Sequence, residues 1–202
     1  MNKDILDRIN NIREDAFSRH LPVMRFETCK ILADMVNDIK PSQVLEVGTC
    51  VGVSGLTVLN NANCLLTTIE KDEDRIGEAK KNFADNGFTV NVLAICGDCN
   101  EVVPMLYGNR YQLAIIDGPK SSTGNLFDCI LPMIDVGGVI FIDDIDYHGF
   151  IAQEGAPHKQ RTIILAIRNF LKKLETLTNI EIKKYDIDDG VLVIKKVSEW
   201  KK

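Results

Sequence analysis

The chain has 202 residues, 45% hydrophobic and 26% charged, with a formal net charge of -5. That is the composition of an ordinary globular protein with material for one core, and it argues against wholesale binding of nucleic acid. No apolar run reaches the roughly 18 residues of a membrane span, and Met1-Asn2-Lys3-Asp4-Ile5-Leu6-Asp7-Arg8 is a charged amphipathic start without a signal-peptide core, so a cytoplasmic protein without membrane contact is expected.

Helical periodicity runs through residues 3–18 and 22–39, with Ile5, Ile9 and Ile12, then Ile31, Leu32, Met35 and Val36, on one face. Lys40-Pro41-Ser42 breaks the second helix, and a first strand is expected over 43–47. Strands near 65–70, 89–95, 111–117 and 139–143 then alternate with helical stretches near 52–60, 72–86, 102–107 and 121–134, the pattern of a doubly wound α/β sheet. The ending differs. After a helix over 160–176, strands over 180–186 and 191–196 meet at Asp188-Asp189-Gly190 as a hairpin, so one of them runs antiparallel to the rest.

The apolar runs stop at or beside carboxylates: Glu46, Glu70, Asp98, Asp117 and the pair Asp143-Asp144. Continuous apolar runs read as buried parallel strands, so these acids gather at the carboxyl edge of the sheet, where open α/β sheets bind their ligands. In the first turn, Glu46 through Gly55, glycines let backbone pass close to a ligand. Gly48 and Gly52 do not form the G-x-G-x-x-G of a dinucleotide fingerprint, because Cys50 stands where the second glycine belongs, which argues against NAD and FAD. A strand-borne Glu46 beside this turn suits a ligand bearing an amine or a cation. Glu70 lies twenty-two residues past Gly48, the offset at which an acid accepts ribose hydroxyls, and Asp98 can accept from an adenine amine. Taken singly, any of these acids could instead be a helix cap or a solvated residue.

Six cysteines (Cys29, Cys50, Cys64, Cys96, Cys99 and Cys129) are scattered without the density of a secreted scaffold. Cys96-Gly97-Asp98-Cys99 follows a strand and has no second pair, which argues against zinc or redox chemistry. From His158 onward, eleven Lys and Arg stand against six Asp and Glu, readable as a solvated helix face and lysine tail or as a docking surface for a polyanion.

Val44 through Ser54, Thr68-Ile69-Glu70-Lys71-Asp72, Ile116-Asp117-Gly118-Pro119-Lys120 and Gly137 through Asp144 resemble the class I S-adenosylmethionine-dependent O-methyltransferases of the catechol and caffeoyl-CoA type. The similarity runs from Leu21-Pro22-Val23-Met24 to the final hairpin, and it looks closest to compact bacterial members, tRNA 5-hydroxyuridine O-methyltransferases among them. It implies a Rossmann-like seven-stranded sheet with an antiparallel last strand, in a single domain with N-terminal helices over 1–40 and a catalytic core over 41–202. It implies S-adenosylmethionine as cofactor, with Glu46, Gly48 and Ser54 around the methionine part, Glu70 on the ribose, Asp98 and Cys99 near adenine, and Thr49, Lys71 and Asp117 in the same binding set.

The resemblance also implies a divalent ion, Mg²⁺ or else Mn²⁺ or Ca²⁺, held by Asp117, Asp143 and Asp144, with Lys120 as the catalytic lysine beside Asp117. Three carboxylates brought to neighbouring strand ends repel one another, and a hard cation with oxygen ligands relieves that repulsion. The family usually has Asp-Asn where this chain has Asp143-Asp144, which adds a negative charge. The implied reaction is methylation of a hydroxyl beside a second oxygen on a small molecule. 5-Hydroxyuridine in tRNA is the alternative acceptor, and a non-catalytic S-adenosylmethionine-binding protein the further one. Residues 147–158 are expected to form a lid that shapes substrate choice, with His148 and His158 outside catalysis, and the amphipathic N-terminal helices offer a homodimer surface.

Overall fold

The computed structural model describes residues 3–153 and 157–199. Part of the expected lid, residues 154–156, therefore lies outside the described residues. Two N-terminal helices, α1 (Lys3–Ser18) and α2 (Phe26–Ile39), precede a seven-stranded sheet of order β3-β2-β1-β4-β5-β7-β6. Its strands are β1 (Gln43–Val47), β2 (Leu65–Glu70), β3 (Val92–Cys96), β4 (Tyr111–Ile116), β5 (Ile134–Ile142), β6 (Ile180–Tyr185) and β7 (Val191–Lys196). The first five pair in parallel, and β7 runs antiparallel to both β5 and β6, as the Asp-Gly hairpin requires.

Helices cover both faces. On one, α1, α2 and α3 (Val53–Asn61) bury Ile9, Leu32, Leu56 and, from α4 (Glu73–Asp85), Phe83 against Val44, Leu66, Leu113 and Phe141. On the other, α6 (Thr123–Ile130) and α7 (Arg161–Leu174) bury Phe127, Ile130, Ile167 and Phe170 against Leu45, Ala114, Ile140 and Ile194. Burial on both faces explains why the central strands read as unbroken apolar runs. No helix among the described residues is long and apolar enough to cross a membrane.

The boundaries shift where local chemistry overrides periodicity. Helix α2 begins at Phe26, not at residue 22, because Pro22 lies in an extended stretch that ends at Arg25 (φ -72, ψ 164). Helix α5 (Cys99–Met105) starts three residues early, since the Asp98 side chain caps it by accepting from the Asn100 backbone N–H. Residues 89–91 form a 3-10 turn before β3. Strand β5 begins five residues early: Gly137 (φ 88) and Gly138 hide it from a hydrophobic pattern but carry it past β4 at a register shift between Tyr111 and Leu113. A Cβ at Gly138 would lie 2.9 Å from the Gln112 carbonyl oxygen.

Candidate active site

Strand order reverses between β1 and β4, and the crevice at that switch point opens into a cleft of about 550 Å³ along the carboxyl ends of the strands. Val47, Gly48, Glu70, Asp98, Asp117, Lys120, Asp143 and Asp144 all line it. At the crevice itself the Asp117 backbone N–H donates to the Val47 carbonyl at 2.9 Å. Gly48 (φ 99) packs so tightly there that a Cβ would fall 2.2 Å from the Asp117 carbonyl oxygen.

One half of the cleft is organised by Glu70. Its Oε1 accepts the backbone N–H groups of Lys71 and Asp72 at 2.9 and 3.0 Å, and its Oε2 accepts that of Cys50 at 2.9 Å. A carboxylate offers about four acceptor sites, so Oε2 keeps capacity for a hydroxyl while the three amides fix its aim. Asp98 sits beyond it, held below its ordinary pKa first by the Asn100 backbone N–H and then by Lys71, whose Nζ lies 3.1 Å away. Cys99 and Cys50 also line this half, and burial pushes both thiols up, Cys50 to about 11, so they behave as apolar wall. Lys71 lines the rim, spent on Asp98.

Glu46, Thr49 and Ser54 are placed differently from the expectation. All three are sealed beneath the turn, with Glu46 fully buried. Glu46 Oε1 accepts from the Ser54 hydroxyl at 2.6 Å and its Oε2 from the Thr68 hydroxyl at 2.5 Å, while Thr49 pairs with Thr68. The reason is strand alternation: Val47 faces the cleft, so the residue before it points to the other side. These residues brace the turn from below. Burial, against the help of Ser54 and Thr68, raises the Glu46 carboxyl to about 7.

A carboxyl with a folded pKa of about 7 and an unfolded value of 4.5 takes up a proton on folding, so its contribution is full below 4.5 and is lost as pH rises through 7. The gap corresponds to a cost on the order of 3 kcal/mol at alkaline pH. Glu46→Gln keeps a polar partner for both hydroxyls and removes the charge. Its urea midpoint is expected to exceed that of the parent at about pH 8 and to converge with it at about pH 4.5. Parallel midpoints across that range would contradict the assignment.

The other half of the cleft holds the acid cage. Asp117 follows β4, and Asp143 and Asp144 follow β5; one carboxylate oxygen from each lies within 4.8 Å of the others. Asp144 adopts φ 54, its N–H donating to Asp143 Oδ1 at 2.8 Å, which turns its side chain back toward its neighbours. Burial, then repulsion from Asp117 and Asp144, raises Asp143 to about 8, and burial raises Asp117 against the pull of Lys120. Lys120 Nζ donates to Asp117 Oδ1 at 2.8 Å and to the Asp143 carbonyl at 3.1 Å, and lies 3.6 Å from Asp144 Oδ2. Burial works against its ammonium, but the surrounding carboxylates outweigh it and hold Lys120 above the ordinary lysine range. Three hard oxygen donors brought this close, with Asp117 and Asp143 disfavoured as bare carboxylates, suit a divalent cation such as Mg²⁺, so the residues present fit the metal that the resemblance implies.

Arg25 is a site residue that periodicity missed. Its guanidinium lies 3.6 Å from Asp144 Oδ1, and with Pro22, Val23 and Phe17 it lines the rim over the cage. The signal was local: Pro22 inside a helical pattern demotes its neighbourhood to extended chain. Arg25 also supplies a counter-charge for the additional carboxylate of Asp144. Residues 150–153, within the stretch expected to form a lid, are tied down by Arg168 of α7, which donates to the carbonyls of Phe150, Ile151 and Gln153 at 3.2, 3.1 and 2.5 Å. Other cations of the C-terminal third are also engaged: Lys173 with Asp128, Lys184 with Asp146 and Asp186, and the buried Lys196 with Glu199 and the Ile134 carbonyl. His158 lies in a 3-10 turn before α7 and does not line the cleft.

A seven-stranded sheet with β7 reversed, a glycine turn at its switch point and an acid ending β2 define the S-adenosylmethionine-dependent methyltransferase fold. A family model described as O-methyltransferase matches residues 4–197, and the chain belongs to that family. It is 26% identical over 187 residues to the caffeoyl-CoA O-methyltransferase of Populus kitakamiensis, covering 83% of this chain and 75% of that one. Two crystal structures share the fold. The O-methyltransferase TomG of Streptomyces achromogenes, solved with S-adenosylmethionine, superposes with a TM-score of 0.84 at 17% identity, covering 94% of this chain and 89% of that one. The SAH-bound methyltransferase PaMTH1 of Podospora anserina does so with 0.81 at 19% identity, covering 97% and 88%. The protein is an S-adenosylmethionine-dependent O-methyltransferase.

Proposed function

We propose that the enzyme methylates one hydroxyl of a small molecule that carries a second oxygen on the adjacent atom, with a divalent cation at Asp117, Asp143 and Asp144. The observation that carries this reading is the convergence of those three carboxylates at the end of the same cleft that Glu70 organises for a nucleoside. S-Adenosylmethionine supplies an electrophilic methyl group when bound. A divalent cation supplies the positive field that makes a neighbouring hydroxyl more acidic.

The chain's own residues do the rest. Glu70 orients the ribose through its free acceptor capacity, Asp98 and Cys99 bound the adenine end, and Gly48 lets the backbone approach the cofactor closely. Asp117, Asp143 and Asp144 would hold the cation, and Lys120, kept as an ammonium beside Asp117, donates to the acceptor oxygen and stabilises the oxyanion left when the hydroxyl proton passes to solvent. Phe17, Pro22, Val23 and Tyr147 form an apolar wall that excludes water from this end. A small acceptor is favoured over tRNA because Arg168, Lys173, Lys184 and Lys196, four of the eleven C-terminal cations, already hold internal partners.

The test is methyl transfer from labelled S-adenosylmethionine to 3,4-dihydroxybenzoate and to 4-hydroxybenzoate. The vicinal diol is expected to be methylated at least tenfold faster, with the rate lost on chelation and restored by Mg²⁺. Equal rates on the two probes, or rates indifferent to chelation, would refute the reading.

A further inference from the structure

His148 and Asp189 lie 41 positions apart and meet in the cleft, which both of them line. Asp189 is only 8% exposed, and both of its carboxylate oxygens serve one residue. Oδ1 accepts the His148 backbone N–H at 2.6 Å, and Oδ2 lies 3.2 Å from the ring Nδ1. The backbone around them is laced to the same turn: Ile145 N–H donates to the Gly190 carbonyl at 3.0 Å and Asp146 N–H to the Asp189 carbonyl at 2.9 Å. Asp188 anchors that turn to α2 by accepting from the Thr28 N–H and hydroxyl at 3.2 and 2.8 Å. Tyr147 and His148 are thereby held at φ 45 and 58, a region that side chains other than glycine adopt only where the surroundings enforce it.

A carboxylate at Nδ1 keeps the proton of a neutral imidazole on that nitrogen and leaves Nε2 with a lone pair. The His148 side chain stays 62% exposed, so the lone pair is open to a molecule in the cleft. Its neighbours cannot play that part. Lys120 and Arg25 only donate, the carboxylates of Asp117 and Asp144 face those two cations, and that of Asp143 accepts the Asp144 N–H.

We propose that His148 receives, at Nε2, a hydrogen bond from an O–H or N–H on the methyl acceptor beyond its two vicinal oxygens, with Asp189 as the positioning residue that fixes tautomer and ring. The inference rests on the methyl-transfer reading and narrows its substrate class to vicinal-oxygen compounds with a further donor group. 3,4,5-Trihydroxybenzoate carries such a donor and 3,4-dihydroxybenzoate does not.

With the full-length enzyme, S-adenosylmethionine and Mg²⁺, KM for the trihydroxy probe is expected to be about five- to tenfold below that for the dihydroxy probe, with kcat similar. His148→Ala erases the difference, His148→Gln recovers part of it through its amide oxygen, and Asp189→Asn weakens it. S-Adenosylmethionine affinity stays unchanged in all three. Imidazole ¹⁵N shifts should place the His148 proton on Nδ1 in the parent and lose that preference in Asp189→Asn. A KM ratio untouched by His148→Ala, or a parent proton on Nε2, overturns the proposal. A parent that methylates neither probe refutes the acceptor class itself, and the proposal falls with it.

Discussion

Asp143→Ala is expected to lower methyl transfer by about a thousandfold or more while leaving S-adenosylmethionine binding intact. Asp143 is the most deeply placed of the three cage acids, 4% exposed, and repulsion from Asp117 and Asp144 adds to burial in raising its pKa to about 8. A cation at the cage stabilises the ionised carboxylate that the folded chain otherwise disfavours, so removal of this oxygen weakens the site at its centre. Glu70, Asp98 and Gly48, the cofactor half of the cleft, do not depend on Asp143 through any hydrogen bond. Calorimetry with S-adenosylhomocysteine and a turnover assay on the same preparation separate the two effects. The chelated variant should also unfold no earlier than the chelated parent, because the substitution deletes a buried acid under repulsion.

Gly48→Ala is expected to be the most damaging single methyl addition in the glycine turn. At φ 99 the new side chain is strained before it meets anything, and its Cβ falls 2.2 Å from the Asp117 carbonyl oxygen, a backbone atom that cannot rotate away. The collision sits at the switch point, so relief requires β1 and β4 to part where the cofactor half and the cage half join. The loss of stability should exceed about 3 kcal/mol, with cofactor affinity lost in parallel. Gly77→Ala is the matched control: nothing lies within 4 Å of its Cβ, and it sits inside α4. That change should gain about 1 kcal/mol from helix propensity. Urea denaturation of both variants reads the contrast.

What could be read from the sequence follows from how each residue advertises its place. Glu70, Asp117, Asp143 and Asp144 end apolar runs, and the runs announce parallel strands whose ends share one edge, so four acids distant in sequence could be brought to one cleft. Glu46 looked the same by that criterion but lies one residue before the cleft-facing Val47, and alternation turns it beneath the turn. Arg25 was hidden because the apolar spacing of 22–39 runs straight through an extended stretch that Pro22 creates. The start of β5 is hidden by Gly137 and Gly138, which break the apolar pattern but serve the strand, the first by its φ of 88 and the second through close packing. His148 carries no sequence signal as a site residue, since its partner Asp189 belongs to a hairpin turn 41 positions away and no local spacing reports such a contact.

Asp117, Asp143 and Asp144 are proposed to form one divalent-cation site beside the cofactor cleft. It is tested most directly by calorimetric titration of Mg²⁺ into the metal-stripped parent and into Asp143→Ala, each loaded with S-adenosylhomocysteine and without any methyl acceptor. One saturable ion per chain is expected in the parent and none in the variant. Equal binding to both proteins, or none to the parent, would contradict it.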